Sequence, residues 1–270
     1  MSAPERKRLE GRIAVVVGAG QTAGETVGNG RATAVTFARE GATLVLADRD
    51  VDSLEATAAL ARAEGAEVTT VVADVSADDG PERIVLAATE GHGGIDILHN
   101  NVGIGVGDGP PHRLTDDGYD RIMDVNARAM WRTCRAAIPA LRASQHGVIV
   151  NVSSLASVGA AGNLTAYKMS KAAVNALTQN LAVTNAKYGV RANAILPGFI
   201  DTPMAVDATA RALDTDRSEV AAARAAAVPL GRQGTAWDVA NAALFLASDD
   251  AAFITGILLL VDGGQSARVG

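Results

Sequence analysis

Cysteine is nearly absent: Cys134 is the single thiol in 270 residues. One thiol excludes an intrachain disulfide, and a reducing, cytoplasmic compartment is the expectation. Within a helical segment Cys134 reads as a small buried hydrophobe. Aromatic residues make up only 3% and the net charge is −6. The chain therefore lacks both the stacking platforms and the basic footprint of a nucleic-acid binder. The longest apolar runs, such as Ile257 to Val261, fall far short of the roughly 18 residues that a membrane helix needs. The opening MSAPERKRLEGR is charged and has no apolar segment of the secretory type. His92, His99, His112 and His146 stand at no metal-ligand spacing, and no HExxH occurs. No metal, nucleic-acid or membrane partner is expected.

What the sequence has is alternation. Apolar runs at 13–17, 43–48, 67–74, 95–100, 147–154, 190–198 and 256–264 read as strands. Helical patterns fill the gaps at 31–40, 53–64, 81–90, 116–141, 164–189, 203–226 and 235–248, with Pro139 expected to mark the end of the fourth. Continuously apolar strands separated by helices give a seven-stranded parallel sheet covered on both faces, an α/β doubly wound (Rossmann) fold. The whole span 1–270 is expected as one domain, with 1–11 as an N-terminal tail. In such sheets ligands bind beyond the carboxyl ends of the strands.

The first strand runs into VVVGAGQTAGETVGNGRATA, residues 15–34. Gly18 follows the strand and leaves room for a sharp turn and a pyrophosphate. Gly28 and Gly30 precede a helix that starts near Asn29, whose free N–H groups and positive dipole end suit an anion. The spacing is unusual. Gly18 and Gly28 are ten apart where the GxxxGxG pattern has four, so the loop holds six extra residues. By itself it reads as a cofactor loop or as an ordinary connection. Asp48 ends the second strand, where a carboxylate accepts from ribose hydroxyls and repels a 2′-phosphate, or starts a turn. Arg49, next to it, is the residue that would accommodate such a phosphate. NAD is expected over NADP.

Tyr167 and Lys171 are four apart on one helix face. An ammonium beside a phenol favours the phenolate and lowers its pKa, making Tyr167 an acid/base. Ser154 ends the fifth strand at the edge where a substrate would sit; Ser153 is its rival, and alternation sends the two to opposite faces. Asn126 stands inside a helical pattern that Asn disfavours, which asks for a buried partner or a proton-relay role.

Taken together, Asn100-Asn101-Val102-Gly103, Asn126, Ser154, Tyr167-x-x-x-Lys171, Pro197-Gly198 with Thr202, and Val261 to Gly264 resemble the short-chain dehydrogenase/reductase family, over essentially the whole length. The resemblance implies Tyr167 as acid/base, Ser154 holding the substrate oxygen, Lys171 on the nicotinamide ribose, and Asn126 holding a water. It also implies Asp74 and Val75 beside the adenine, Asn101, Val102 and Gly103 along the riboses, and Pro197, Ile200 and Thr202 at the carboxamide. Three departures stand out: Val17 for the usual Thr, Val102 for the usual Ala, and the elongated loop. The extra residues, about Gln21 to Val27, are expected to bulge outward near the phosphates while both loop ends keep their roles.

The implied activity is reversible hydride transfer between a secondary alcohol or ketone and NAD(H). The alternatives are an NADPH-dependent ketoreductase of the 3-oxoacyl kind and a non-catalytic dinucleotide sensor. Residues 199–230 are the expected lid, completed by 103–113 and 155–163. The resemblance also implies a homotetramer.

Overall fold

The structure is a computed structural model that describes residues 7–159 and 163–268. Its main sheet is built from β1 (Ile13–Val17), β2 (Thr43–Asp48), β3 (Val68–Val72), β4 (Ile97–Asn100), β5 (Val148–Val152), β6 (Arg191–Pro197) and, after two short strands β7 (Ile200–Asp201) and β8 (Gly234–Thr235), β9 (Leu258–Val261). All seven are parallel, in the order β3-β2-β1-β4-β5-β6-β9. The chain reverses its winding direction between β1 and β4, which opens the crevice that such folds use.

Alternation along each strand splits the core in two. Ala14, Val16, Leu44, Leu46, Val148 and Val150 face one side of the sheet. There they meet α1 (Asn29–Arg39), α2 (Val51–Ala63) and α9 (Ala236–Ala247) through Phe37, Leu54 and Val239. Val15, Val17, Val45, Leu98 and Ile149 face the other side. They pack on α3 (Gly80–His92), α5 (Ala129–Ala143) and α6 (Thr165–Asn185) through Ile84, Cys134 and Val174. Because both faces are covered, the strands carry no polar face, and this is why they read as continuous apolar runs.

Four features differ from the sequence reading. Pro139 does not end a helix: α5 continues to Ala143 with Pro139 inside it. Pro139 lies on the exposed side, so the carbonyl one turn back meets water and the missing N–H costs little there. The segment 116–141 is also not one α-helix, since a π turn, Asp124–Arg128, separates α4 (Asp116–Met123) from α5. The Ala-rich stretch 203–226 is broken into a π turn, Pro203–Asp207, α7 (Ala208–Leu213) and α8 (Arg217–Ala226), with Asp214 left-handed at φ 48° between the helices. Finally, Leu9, inside the expected tail, is fully buried and donates its N–H to Glu40 O at 2.9 Å. Residues 1–6 of that tail lie outside the described residues.

Candidate active site

The parallel register delivers the singled-out residues to one edge. Val17 is paired with Ala47 and Asn100, Asn100 with Asn151, and Val152 with Ile195. Gly18, Asp48, Asn101, Ser154 and Gly198 therefore all emerge at the carboxyl ends of neighbouring strands. A buried amide row ties the middle of this edge together. Asn100 donates to Asn151 Oδ1 at 2.9 Å, and Asn151 donates to Thr178 Oγ1 on α6 at 2.9 Å. Each side chain has a partner, so the row fixes α6 against the sheet without leaving a buried polar group unmet.

Gly18 is left-handed at φ +80°, and a side chain there would press on Val102 at 2.9 Å. At Gly30 a Cβ would fall 1.9 Å from Gly18 O and 2.7 Å from Asn101 Nδ2. That closeness brings the start of α1 against the end of β1. Asn101 donates its amide to Gly18 O at 3.0 Å, so its side chain holds the loop end in place. Helix α1 begins after Gly28 with no side-chain cap, and the buried Oδ1 of Asn29 has no hydrogen-bond partner. An uncapped helix start over a left-handed glycine fits a pyrophosphate.

Residues 22–25 of the insertion are exposed, while the loop is fastened from within and across to the chain after β7. Gln21 takes the Gly28 N–H on its Oε1 at 2.9 Å and donates its own N–H to Ser53 Oγ at 2.8 Å. Residues 23–26 then fold across to the end of β7, the π turn after it and α7, where Asp201, Asp207 and Arg211 receive them. Both loop ends keep the positions that the sequence suggests.

Asp48 accepts the Gly20 N–H on Oδ2 at 2.9 Å and the Asp50 N–H on Oδ1 at 3.1 Å. Its oxygens retain lone pairs for ribose hydroxyls. Arg49 is exposed, and its charge acts on the Asp74 carboxyl, which is held below its ordinary range chiefly by hydrogen bonds from Ser76. Asp74 is exposed and Val75 is buried beside it. Across the sheet, Gly198 is packed so closely that a Cβ would clash with Asp262 and Gln265. Thr202 is buried, and Ile200 puts its side chain into the core cluster.

Tyr167, Ser154 and Lys171 come together. Ser154 lies close enough to the Tyr167 phenol to counter part of the rise in its pKa, and Lys171 Nζ lies 5.8 Å from the centre of the phenol ring. Ser153 turns the other way, buried, with its Oγ donating to Lys171 O at 3.0 Å. The electrostatics differ from the sequence reading. Burial pushes the Tyr167 phenol up, and Ser154 offsets only part of this. Lys171 does not act directly on the hydroxyl: its Nζ donates to Val152 O at 2.9 Å and reaches Val102 O at 3.5 Å. Burial lowers its own pKa to about 8.

Asn126 lies in the π turn, fully buried. Its Nδ2 donates to Ile104 O at 2.9 Å and Ser170 Oγ at 3.0 Å, and its Oδ1 accepts from Ile104 N at 2.8 Å. The side chain braces the loop after β4, a buried-partner arrangement that is compatible with a proton-relay role. A π turn widens the helix by one residue and is a frequent mark of a functional position. Residues 160–162 of the expected pocket segment 155–163 lie outside the described residues. No cluster of metal-ligating side chains occurs among the described residues. No described helix is long and apolar enough to cross a membrane.

Sequence reasoning missed Gln21, Asn151 and Asp108. Gln21 sits within an unfamiliar loop length, Asn151 within an apolar strand, and Asp108 within a run of glycines; none carries a local pattern that marks its partner.

Comparisons with known proteins accord with this geometry. A family model described as enoyl-(acyl carrier protein) reductase matches residues 23–266. Levodione reductase of Leifsonia aquatica is 38% identical over 263 residues, covering 96% of this chain and 96% of that protein. The 2-(R)-hydroxypropyl-CoM dehydrogenase of Xanthobacter autotrophicus is 38% identical over 260 residues, 95% of this chain and 99% of the other. Among solved structures, carveol dehydrogenase from Mycobacterium avium in complex with NAD superposes with a TM-score of 0.89 at 28% identity, covering 97% of this chain and 100% of that one.

Proposed function

The chain belongs to the short-chain dehydrogenase/reductase family, and from that premise we propose the site and cofactor of its reaction. It is an oxidoreductase of secondary alcohols and ketones. The observation that carries the site assignment is the meeting of Tyr167, Ser154 and Lys171 at the carboxyl edge of the sheet.

Gly18, Asn29 and Gly30 would hold the pyrophosphate, and Asp48 the adenosine ribose. Asp74 and Val75 would border the adenine. Asn101, Val102, Gly103 and Lys171 would line the riboses, and Pro197, Gly198, Ile200 and Thr202 the carboxamide. The nicotinamide, when bound, supplies the hydride acceptor or donor. Ser154 orients the substrate oxygen toward the Tyr167 hydroxyl. In ketone reduction the Tyr167 phenol gives its proton to the carbonyl oxygen; in alcohol oxidation the phenolate removes the hydroxyl proton. Burial favours the protonated phenol, which suits the reductive direction near neutral pH, and oxidation gains as pH rises. Asn126 acts through Ile104, keeping the substrate-facing loop against α6.

The preference for NAD over NADP is supported by Asp48, which ends β2 and keeps lone pairs free for ribose hydroxyls beyond the Gly20 contact. The mostly small, apolar lining of 103–113 and 199–230 supports a modest hydrophobic substrate, with 199–230 as its lid. Phe253, Ile257 and Leu260, exposed around edge strand β9, and Val183 on α6 support assembly into a homotetramer. The acidic, cysteine-poor composition supports a cytoplasmic setting.

The test is a fluorescence titration with NADH and with NADPH, followed by NAD turnover on cyclohexanol and carveol. Tighter NADH binding is expected. Tyr167→Phe should keep NADH affinity and lose turnover; normal turnover in that variant refutes the assignment.

A further inference from the structure

Helix α6 begins at Thr165 after Leu164, a residue whose side chain offers no cap. The first turn of a helix leaves N–H groups without internal partners. Here a side chain far away in sequence satisfies two of them. Asp108, in the loop after β4, accepts the Ala166 N–H on Oδ1 at 3.0 Å and the Tyr167 N–H on Oδ2 at 2.8 Å. The same Oδ1 takes the Gly109 N–H at 2.8 Å, and Thr165 Oγ1 donates to Gly109 O at 2.7 Å. A carboxylate on helix N–H groups is a charge-assisted contact, and the helix dipole strengthens it.

The contact is specific to Tyr167 in two ways. Its own backbone amide is one of the two donors. The Tyr167 ring also lies against Gly105 of the same loop, with Cδ2 3.7 Å from where a Cβ at Gly105 would stand. The loop is itself braced at Ile104 by Asn126. Loop, first turn of α6 and phenol thus form one block, and Asp108 is the link that joins the backbone of Tyr167 to the loop.

We propose that Asp108 is a positioning residue for Tyr167: its carboxylate fixes the first turn of α6, and with it the phenol, against Ser154 and the loop that meets the substrate. This rests on the reading of Tyr167 as the acid/base. Displacing a reacting group by about 1 Å costs on the order of 100-fold in rate, so a cap on the tyrosine's own amide bears directly on turnover. Asp108→Ala leaves both N–H groups without an acceptor. Asp108→Asn retains one oxygen and can serve one of them.

The experiment measures three quantities for the wild type, Asp108→Asn, Asp108→Ala and Tyr167→Phe. They are NADH affinity by fluorescence, amide hydrogen exchange across 164–170, and turnover of NAD with carveol per NADH-binding site. The expected result is a fall in kcat in the order wild type, Asn, Ala, by roughly tenfold or more for Ala. NADH affinity should stay within about twofold, and exchange should quicken at Ala166 and Tyr167 but not at Lys171. If Asp108→Ala does not fold, Asp108→Asn alone decides, with a smaller fall in kcat and one quickened amide expected. A kcat per binding site equal to wild type in the folded variants overturns the proposal, as does a rise confined to KM. An active Tyr167→Phe overturns the reading beneath it; an inactive Tyr167→Phe beside a fully active Asp108→Ala overturns only the positioning role.

Discussion

The backbone N–H of Glu25 donates to Oδ1 of Asp207 at 3.1 Å, fastening the elongated glycine loop to the π turn that follows β7. Neighbouring contacts reinforce it: Thr26 Oγ1 reaches Asp201 Oδ1 at 3.4 Å, and Arg217 pairs with Glu25 at 3.6 Å, with Asp207 at 3.4 Å and with Asp201. The glycine loop and the segment 199–230, the proposed cofactor cradle and lid, therefore share one set of contacts.

Gly24 is where this fastening is tightest. A Cβ there would stand 2.7 Å from both Asp207 Cγ and Pro203 Cβ. Pro203 is a rigid ring and the Asp207 carboxylate is buried and held by Glu25 N–H and Arg217, so Gly24→Ala must push the loop off the turn, at about 1–3 kcal/mol. The expected outcome is a lower melting temperature together with a several-fold weaker NADH affinity. Thermal melts and fluorescence titration read the two effects separately, and a variant unchanged in both would mean that the loop is not seated on Asp207.

Asp48 holds the Gly20 N–H, and in the proposed site it also meets the adenosine ribose. Asp48→Asn removes the charge that opposes a 2′-phosphate while keeping an acceptor oxygen for Gly20. The NADPH-to-NADH affinity ratio should rise roughly tenfold, the scale of a 1.4 kcal/mol change. Titrating both cofactors against wild type and variant tests this, and an unchanged ratio would move selectivity to another residue.

Lys171 carries a stability signature. Its folded pKa of about 8 lies below the ordinary 10.5 because the amine is buried. The unfolded chain then binds more protons between those values, so stability rises with pH across that window and the full penalty applies below about pH 8. The penalty is on the order of 3 kcal/mol. Lys171→Met removes it, at the loss of the Val152 hydrogen bond. Urea unfolding should place the variant above the wild type by more at pH 7 than at pH 9.5, although the variant has no turnover. A gap independent of pH would count against a desolvated amine.

His99 sets the acid limit. Neither ring nitrogen has a partner, the ring is fully buried beside Phe37, and burial lowers its pKa to about 3. A base kept neutral by the fold stabilises fully above its unfolded value near 6.5. Stability is lost as pH falls from there toward 3, by about 1.4 kcal/mol per unit. His99→Leu should flatten that limb in acid unfolding curves; an acid limb identical to the wild type would point to other groups.

Much of this was legible in the sequence because the relevant forces act locally. Seven apolar runs between helical patterns are what a two-sided sheet demands, and Tyr167 and Lys171 share a helix face by spacing alone. Strand alternation separates Ser154 from Ser153, and the family resemblance points to Ser154. What was not legible depends on partners distant in the chain. Pro139 could stay inside α5 only because its side of the helix faces water. The phenol's burial outweighs its neighbours, which no spacing reveals. The inserted loop residues found their place on Asp207, 182 residues from Glu25, and Asp108 caps a helix 58 residues ahead.

The position of β9 has a consequence for biosynthesis. It pairs with the outer side of β6, yet residues 198–257 separate the two strands in the chain. While a nascent chain emerges, β6 keeps an open edge of unpaired amides and carbonyls until residue 261 has cleared the ribosome. Open strand edges recruit other strands. The final strand thus acts as a closing seal, and a chain halted before it would expose a sticky border to its neighbours on the polysome.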